Sequence, residues 1–208
     1  MPKVDFKKHF QHLYQPSARE VVQVEVPTLN YLMLDGEGDP NTSPSYQAAV
    51  EALFALSYTI KFIVKKGALA IDYGVLPLEG LWWMEDMSAF SLQTKADWEW
   101  TMMILQPVAV TQDQFEQARE LALRKKGTPV LEYAHLECYA EGMSAQTTYL
   151  GAYDEEGPTI AALHDFIHAQ GCERVGKHHE IYLGDPRRTA PERLKTVIRQ
   201  PMWRSDEG

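Results

Sequence analysis

Val22, Val24 and Val26 alternate with polar residues at the period of a half-buried strand, and Tyr31 and Met33 resume it beyond Pro27. Gly36-Glu37-Gly38-Asp39-Pro40 reads as a turn. From Pro44 the pattern changes period: Ala49, Leu53, Leu56, Ile60, Ile63 and Val64 recur at helical spacing until Gly67, so the spacing predicts a long amphipathic helix with one buried face. Lys65 and Lys66 close it favourably against the helix dipole. Ile71, Tyr73 and Val75 then predict a strand, with a break at Pro77. Trp98, Trp100, Met102 and Ile104 predict another, ending at Pro107. Thr111 and Gln114 form a capping box, and Phe115, Ala118 and Ala122 follow down one helix face to Gly127.

The same order of elements then recurs. Met143, Ala145, Thr147 and Tyr149 alternate, Gly151 and Asp154 make a turn, and Pro158 opens a helix carrying Ile160, Leu163 and Ile167 that ends near Gly171. A strand around Glu180 follows, then a loop through Pro186 and a last strand from about Leu194 to Gln200, stopped by Pro201. Strand, glycine turn, proline-opened helix and a pair of strands thus occur twice, with little residue identity between the copies. The expected architecture is α+β: two strand-helix-strand-strand units with antiparallel sheets, helices on one side, pseudo-two-fold symmetry and a groove between the halves. Residues 1–19 read as a polar lead-in, and 20–208 as one domain built of repeats at about 20–107 and 108–202.

Charge narrows the partners. The 208 residues include 20 Lys and Arg against 29 Asp and Glu, a net charge of −9, and the longest basic run is Arg124-Lys125-Lys126. Phosphate backbones need a concentrated positive surface, so direct nucleic-acid binding is not expected. Hydrophobic residues at 45% with 24% charged indicate a globular chain. Cys138 and Cys172 have no CxxC spacing and read as reduced thiols. No uninterrupted apolar run approaches the roughly 18 residues of a membrane span, and no signal peptide is evident, so a cytoplasmic protein without membrane contact is expected. Oligomeric state is not encoded in these patterns.

Candidate chemistry centres on His179-Glu180-Ile181-Tyr182-Leu183. Alternation puts Glu180 and Tyr182 on one strand face and His179, Ile181 and Leu183 on the other. A carboxylate beside a phenol is ordinary decoration if that face meets water. In a chain with Trp82, Trp83, Trp98 and Trp100, it can instead be the one charged group of an aromatic pocket. Trp98 and Trp100 read as core. Trp82 and Trp83, being adjacent in extended chain, point opposite ways, so one of them is expected to reach a groove. His164-Asp165-Phe166-Ile167-His168 has the helical two-histidine spacing of zinc peptidases but carries Asp in place of their Glu and lacks a third ligand, so no metal is expected. No nucleophile elbow, P-loop or dinucleotide fingerprint is present, and no cofactor is expected. Arg187-Arg188 read as solvated loop charges.

Together with Tyr149-Leu150-Gly151-Ala152-Tyr153-Asp154, Pro191-Glu192-Arg193-Leu194-Lys195-Thr196, Asp35-Gly36-Glu37-Gly38-Asp39-Pro40 and Asp72-Tyr73-Gly74-Val75-Leu76-Pro77-Leu78-Glu79-Gly80-Leu81-Trp82-Trp83, these residues make the chain resemble the GyrI-like small-molecule-binding family over most of 20–202. The last block is similar to stand-alone members. Tyr149-Leu150-Gly151-Ala152-Tyr153 stands where His-x-Gly-Pro-Tyr is often found. The resemblance implies a ligand cleft with Glu180 central and an aromatic cage drawing on Tyr73, Trp82 or Trp83, Trp100, Tyr149 and Tyr182. It further implies an aromatic small molecule as partner, and cyclopropane hydrolysis of DNA-alkylating compounds as activity. In that chemistry Glu180, with a raised pKa, would act as base and a Tyr hydroxyl would donate to the developing phenolate. The alternatives are binding of cationic aromatic ligands without turnover, and gyrase-inhibitor-like action on a protein partner.

Overall fold

The computed structural model describes residues 3–68, 70–87, 89–91 and 94–204. Its strands are β1 (Lys3–Val4), β2 (Val22–Val26), β3 (Leu29–Glu37), β4 (Asp72–Tyr73), β5 (Leu78–Trp83), β6 (Glu99–Gln106), β7 (His135–Tyr139), β8 (Gly142–Leu150), β9 (Glu173–Arg174), β10 (His178–Tyr182) and β11 (Lys195–Trp203). The helices are α1 (Phe6–His9), α2 (Gln11–Tyr14), α3 (Pro44–Lys66), α4 (Gln112–Lys126) and α5 (Gly157–Ala169). Among the described residues one antiparallel sheet runs β2-β8-β11-β10-β5-β6-β3-β7, with β9 added at the end of β11, while β1 and β4 pair in parallel.

The sheet is palindromic about the seam between β5 and β10. Outward from it lie β5-β6-β3 on one side and β10-β11-β8 on the other, so α3 and α5 connect equivalent strands. The edges are exchanged: β2, which leads into β3, borders β8, and β7, which leads into β8, borders β3. Val22–Val26 and Leu29–Glu37, expected as one interrupted strand, are therefore two strands with different ladder partners, although only two residues join them. At the seam Glu180 pairs with Gly80, His178 with Trp82 and Tyr182 with Leu78, which puts all six on one face.

That face carries the helices. α3 packs on β3 and β6, α5 packs on β8 and β11, and α4 lies against α3. Ala49, Leu53, Leu56, Ile60 and Val64 of α3 are buried at the predicted helical spacing, and Leu163 and Ile167 of α5 pack with Ala145 and Ile198. α3 is long and apolar enough to cross a membrane by length and composition, unlike the sequence expectation, and its packing on the sheet accounts for that apolar face. α4 has the expected local signals: Thr111 and Gln114 cap reciprocally and Gly127 terminates it with φ +61°.

Three differences have local causes. Pro201 does not stop β11, because the ladder with β10 ends at Arg199, while the Pro201 carbonyl still accepts from Val175 N–H at 3.0 Å and Met202 and Trp203 go on to pair with β9. Leu78–Trp83 forms a central strand just beyond Pro77. The lead-in is also more than polar: Leu13 and Tyr14 are buried against the face opposite the helices. Cys138 and Cys172 are both free thiols, the first exposed and the second buried.

A close approach shapes the sheet interior. Gly36 pairs with Trp100, and a methyl group on Gly36 would lie 2.2 Å from the indole ring. Gly36→Ala is therefore expected to displace Trp100 and to lower unfolding free energy by about 1–3 kcal/mol, measured by urea denaturation.

Candidate functional site

Alternation along β10 and its register with β5 deliver Glu180 to the helix-covered face opposite Gly80, which adds no side chain above it. A cavity of about 260 Å3 opens there, with Phe90, Trp98, Ile160, His164, His178 and Glu180 in its walls. Phe90 stacks on Trp98 with centroids 4.7 Å apart and planes 19° apart, and Trp98 packs against Trp82 at 5.4 Å. Tyr46, from the first turn of α3, meets Trp82 at 6.0 Å and Trp100 at 5.5 Å. Tyr153 meets Tyr182 edge-on at 5.4 Å. The acid thus sits among rings contributed by both halves of the chain.

Glu180 is 6% exposed and is held by a short relay. Trp82 Nε1 donates to the Tyr182 hydroxyl at 3.1 Å, and that hydroxyl donates to Glu180 Oε2 at 2.8 Å. His178 Nε2 lies 3.3 Å from Glu180 Oε1, without the alignment of a hydrogen bond. Glu156, the residue that opens α5, is also buried and lies against Glu180.

The two carboxyls shift in opposite directions. Burial, then the Glu180 charge, push Glu156 well above the usual carboxylate range. Burial also pushes Glu180 upward, but His178, Glu156 and the Tyr182 hydroxyl outweigh it and leave Glu180 lowered. The direction at Glu180 is opposite to the raised pKa expected of it, and of the two carboxyls Glu156 holds its proton more tightly. Glu156 and His178 lie beside Glu180, and His178 shares the wall of its pocket. Burial and the Glu180 charge raise the Tyr182 pKa well above the ordinary phenol value. Trp98 Nε1 is buried with no partner among the described residues, as are both His178 ring nitrogens and Glu156 Oε2 in hydrogen-bond terms.

The model of the GyrI-like small molecule binding domain matches residues 19–202. The chain belongs to the GyrI-like family. It is similar to an uncharacterized conserved protein from Listeria innocua at 38% identity, with 97% of this chain and 100% of that one covered and a TM-score of 0.89. It is also similar to a hydrolase from Listeria innocua at 36% identity, over 97% and 100% of the two chains, with a TM-score of 0.84. A hydrolase encoded by lin2189 from Listeria innocua aligns over the same shares at 38% identity and a TM-score of 0.87. No protein of curated function matches.

Within this GyrI-like fold the residues singled out in the sequence separate. Glu180, Tyr182 and Trp82 come together, and Trp100 supports them through Tyr46. Trp83 faces the other side of the sheet, where Lys177 Nζ stands 3.1 Å from its ring centroid. Tyr73 is buried on β4, edge-on to Phe6 at 5.8 Å, among the residues that pack near the N-terminal segment. The Tyr149 hydroxyl donates to the Ala152 carbonyl at 3.1 Å, closing the turn over Gly151. Trp98, read as core, lines the cavity. Tyr46, Phe90, Tyr153, Glu156 and His178 were not assigned to the site by sequence. Tyr153 belongs to the family-like Tyr149-Leu150-Gly151-Ala152-Tyr153-Asp154 block and Glu156 lies two positions beyond it, which was the available signal.

A second polar cluster lies on the opposite face, fully enclosed. Tyr14 donates to Glu79 Oε1. His179 Nε2 is 3.1 Å from Glu79 Oε2, and His179 Nδ1 is 3.0 Å from each Glu141 oxygen. Arg199 binds Glu141 at 2.9 Å, Gln146 at 3.0 Å and the Leu13 carbonyl at 2.9 Å. Burial raises the Glu141 pKa, but His179 and Arg199 overcome it and hold the group at about 2. Burial lowers the His179 pKa, but Glu141 and hydrogen bonds to both carboxylates raise it overall. These side chains are buried, and through Tyr14 and the Leu13 carbonyl they fasten the N-terminal segment to the sheet.

Proposed function

We propose that this GyrI-like protein binds a flat aromatic small molecule over Glu180 and hydrolyses a strained, carbonyl-conjugated cyclopropane within it. The observation that carries this reading is a buried pair of carboxyls, Glu180 and Glu156, at the foot of an aromatic cleft. Aromatic contact with Phe90 and Trp98, backed by Trp82, would hold the ligand. Glu180 would take a proton as water attacks a cyclopropane carbon. The breaking C–C bond sends its electron pair into the conjugated carbonyl to give a phenolate, which takes up a proton from solvent as Glu180 releases the one it took from water. The Tyr182 proton is committed to Glu180, so Tyr182 positions the base. The available donor toward the carbonyl oxygen is the unpartnered Trp98 Nε1–H. A base of lowered pKa is a weak one, which suits an electrophile driven by ring strain and aromatisation. It does not suit an amide.

The test is incubation of the protein with a dienone-conjugated cyclopropane alkylator, with mass spectrometry of the product. A catalytic water adduct is expected, and ligand bound but recovered unchanged overturns the hydrolytic reading. Prolonged chelation is expected to leave turnover intact, since among the described residues no three His, Cys, Asp or Glu side chains converge as ligands. Adduct formation that disappears on chelation and returns with zinc overturns that expectation.

The ionised Glu180 also favours a second reading, binding of cationic aromatic ligands without turnover, in which the carboxylate and the ring faces both attract the cation.

A further inference from the structure

Beside the aromatic cleft lies a second cavity of about 350 Å3, lined by His164, Ile167, His168, Cys172, Arg174 and Gln200 together with Met87, Glu173 and Gly176. His164 belongs to the walls of both cavities, so the two spaces meet around one imidazole ring. Arg174 on β9 donates to that ring, 3.1 Å from Nδ1, and among the described residues no carboxylate lies within ion-pair distance of it. In a chain with 29 acidic residues this is an unusual use of a guanidinium, especially beside the exposed Glu173. A guanidinium has five N–H donors, and an imidazole can engage only a small part of them.

We propose that this cavity is a binding lobe for the anionic end of a ligand, a carboxylate or sulfonate, whose aromatic body occupies the cleft over Glu180. The proposal rests on the cleft being the small-molecule site and is independent of any turnover there. His164 acts as a neutral anchor. Burial first, then the Arg174 charge, hold its pKa at about 4, so it accepts from Arg174 without carrying a charge of its own. The guanidinium is thus oriented by an uncharged partner and keeps its full charge for a ligand, where bidentate geometry favours planar or tetrahedral oxyanions. His168, one turn beyond His164, adds a second ring to the same wall. Buried Ile167 and Cys172 provide an apolar base for the linker between body and anion. Glu180 and Arg174 give the combined site opposite charges at its two ends, so the favoured class is an elongated aromatic molecule with an anionic arm.

The experiment uses a matched pair of fluorescent probes on the whole protein: 1-anilinonaphthalene-8-sulfonate and its uncharged analogue N-phenyl-1-naphthylamine. Both are expected to bind wild type and to displace each other, the sulfonate more tightly. Arg174→Gln is expected to weaken the sulfonate about tenfold and to change the neutral probe by less than twofold. The sulfonate advantage is also expected to shrink with added salt. Because Arg174 is exposed, the variant is expected to fold. Equal affinity of the two probes for wild type, or an Arg174→Gln protein that keeps the sulfonate preference, overturns the lobe while leaving the cleft intact. Failure of both probes to bind wild type overturns the cleft as well.

Discussion

Glu180→Gln is expected to lower hydrolytic turnover by about 10²–10⁴-fold, the share that a general base ordinarily supplies, while ligand affinity changes little. The amide keeps the shape of the side chain and still accepts from Tyr182, but it cannot take a proton from water. Glu156→Gln separates the roles further. If Glu156 only needs to be neutral, the amide preserves rate. If its proton is shared with Glu180 during turnover, the rate falls and the acid limb of the pH profile changes. Affinity and single-turnover rate measured on both variants decide the matter. A folded Glu180→Gln protein with wild-type turnover sinks the catalytic role, and one that loses only cationic ligands supports the counter-ion reading.

Arg199→Met is expected to destabilise the fold by about 3–5 kcal/mol, because it leaves the Glu141 charge enclosed with one cation fewer and frees the Leu13 carbonyl. Urea denaturation measures this. Adding Glu141→Gln is expected to recover part of the loss, and additive effects of the two substitutions would show that the pair is not coupled. The cluster also fixes the pH response. Glu141 has a folded pKa of about 2 against an ordinary 4.5, so its stabilising share is present above about 4.5 and is lost as pH falls toward 2. His179 has the opposite sign: its folded pKa is raised, so its share is present below about 6.5 and is lost as pH rises through the folded value. Chemical denaturation across pH is expected to show greatest stability between the two limbs.

Much of this molecule is legible in sequence wherever the signal is local. The Thr111 and Gln114 cap, the apolar stripe of α3 and the alternation that turns Glu180 and Tyr182 one way each depend on residues within a few positions. The buried cluster was not legible. Glu79, Glu141, His179 and Arg199 come from separate segments, and each alone reads as surface charge. Only strand order makes them neighbours. Glu156 has the same difficulty: it lies 24 positions before Glu180 by their numbers and reads as part of an acidic turn. Nothing local in His135–Tyr139 identifies β7 either, because its half-exposed residues alternate weakly. The charge state of Glu180 likewise depends on a neighbour that alternation does not reveal.

The exchanged edges have a consequence for how the chain reaches this form. β2 is made early, yet its sheet partner β8 is more than a hundred residues later, and β3 must wait for both β6 and β7. A nascent chain stopped after β6 would hold a three-stranded sheet with β2 unpaired and the β5 edge open, an invitation to pair with another copy. Closure of such distant contacts is slow. Completion of this sheet is therefore an event of the whole polypeptide, and the first unit released alone would be prone to associate with its own kind.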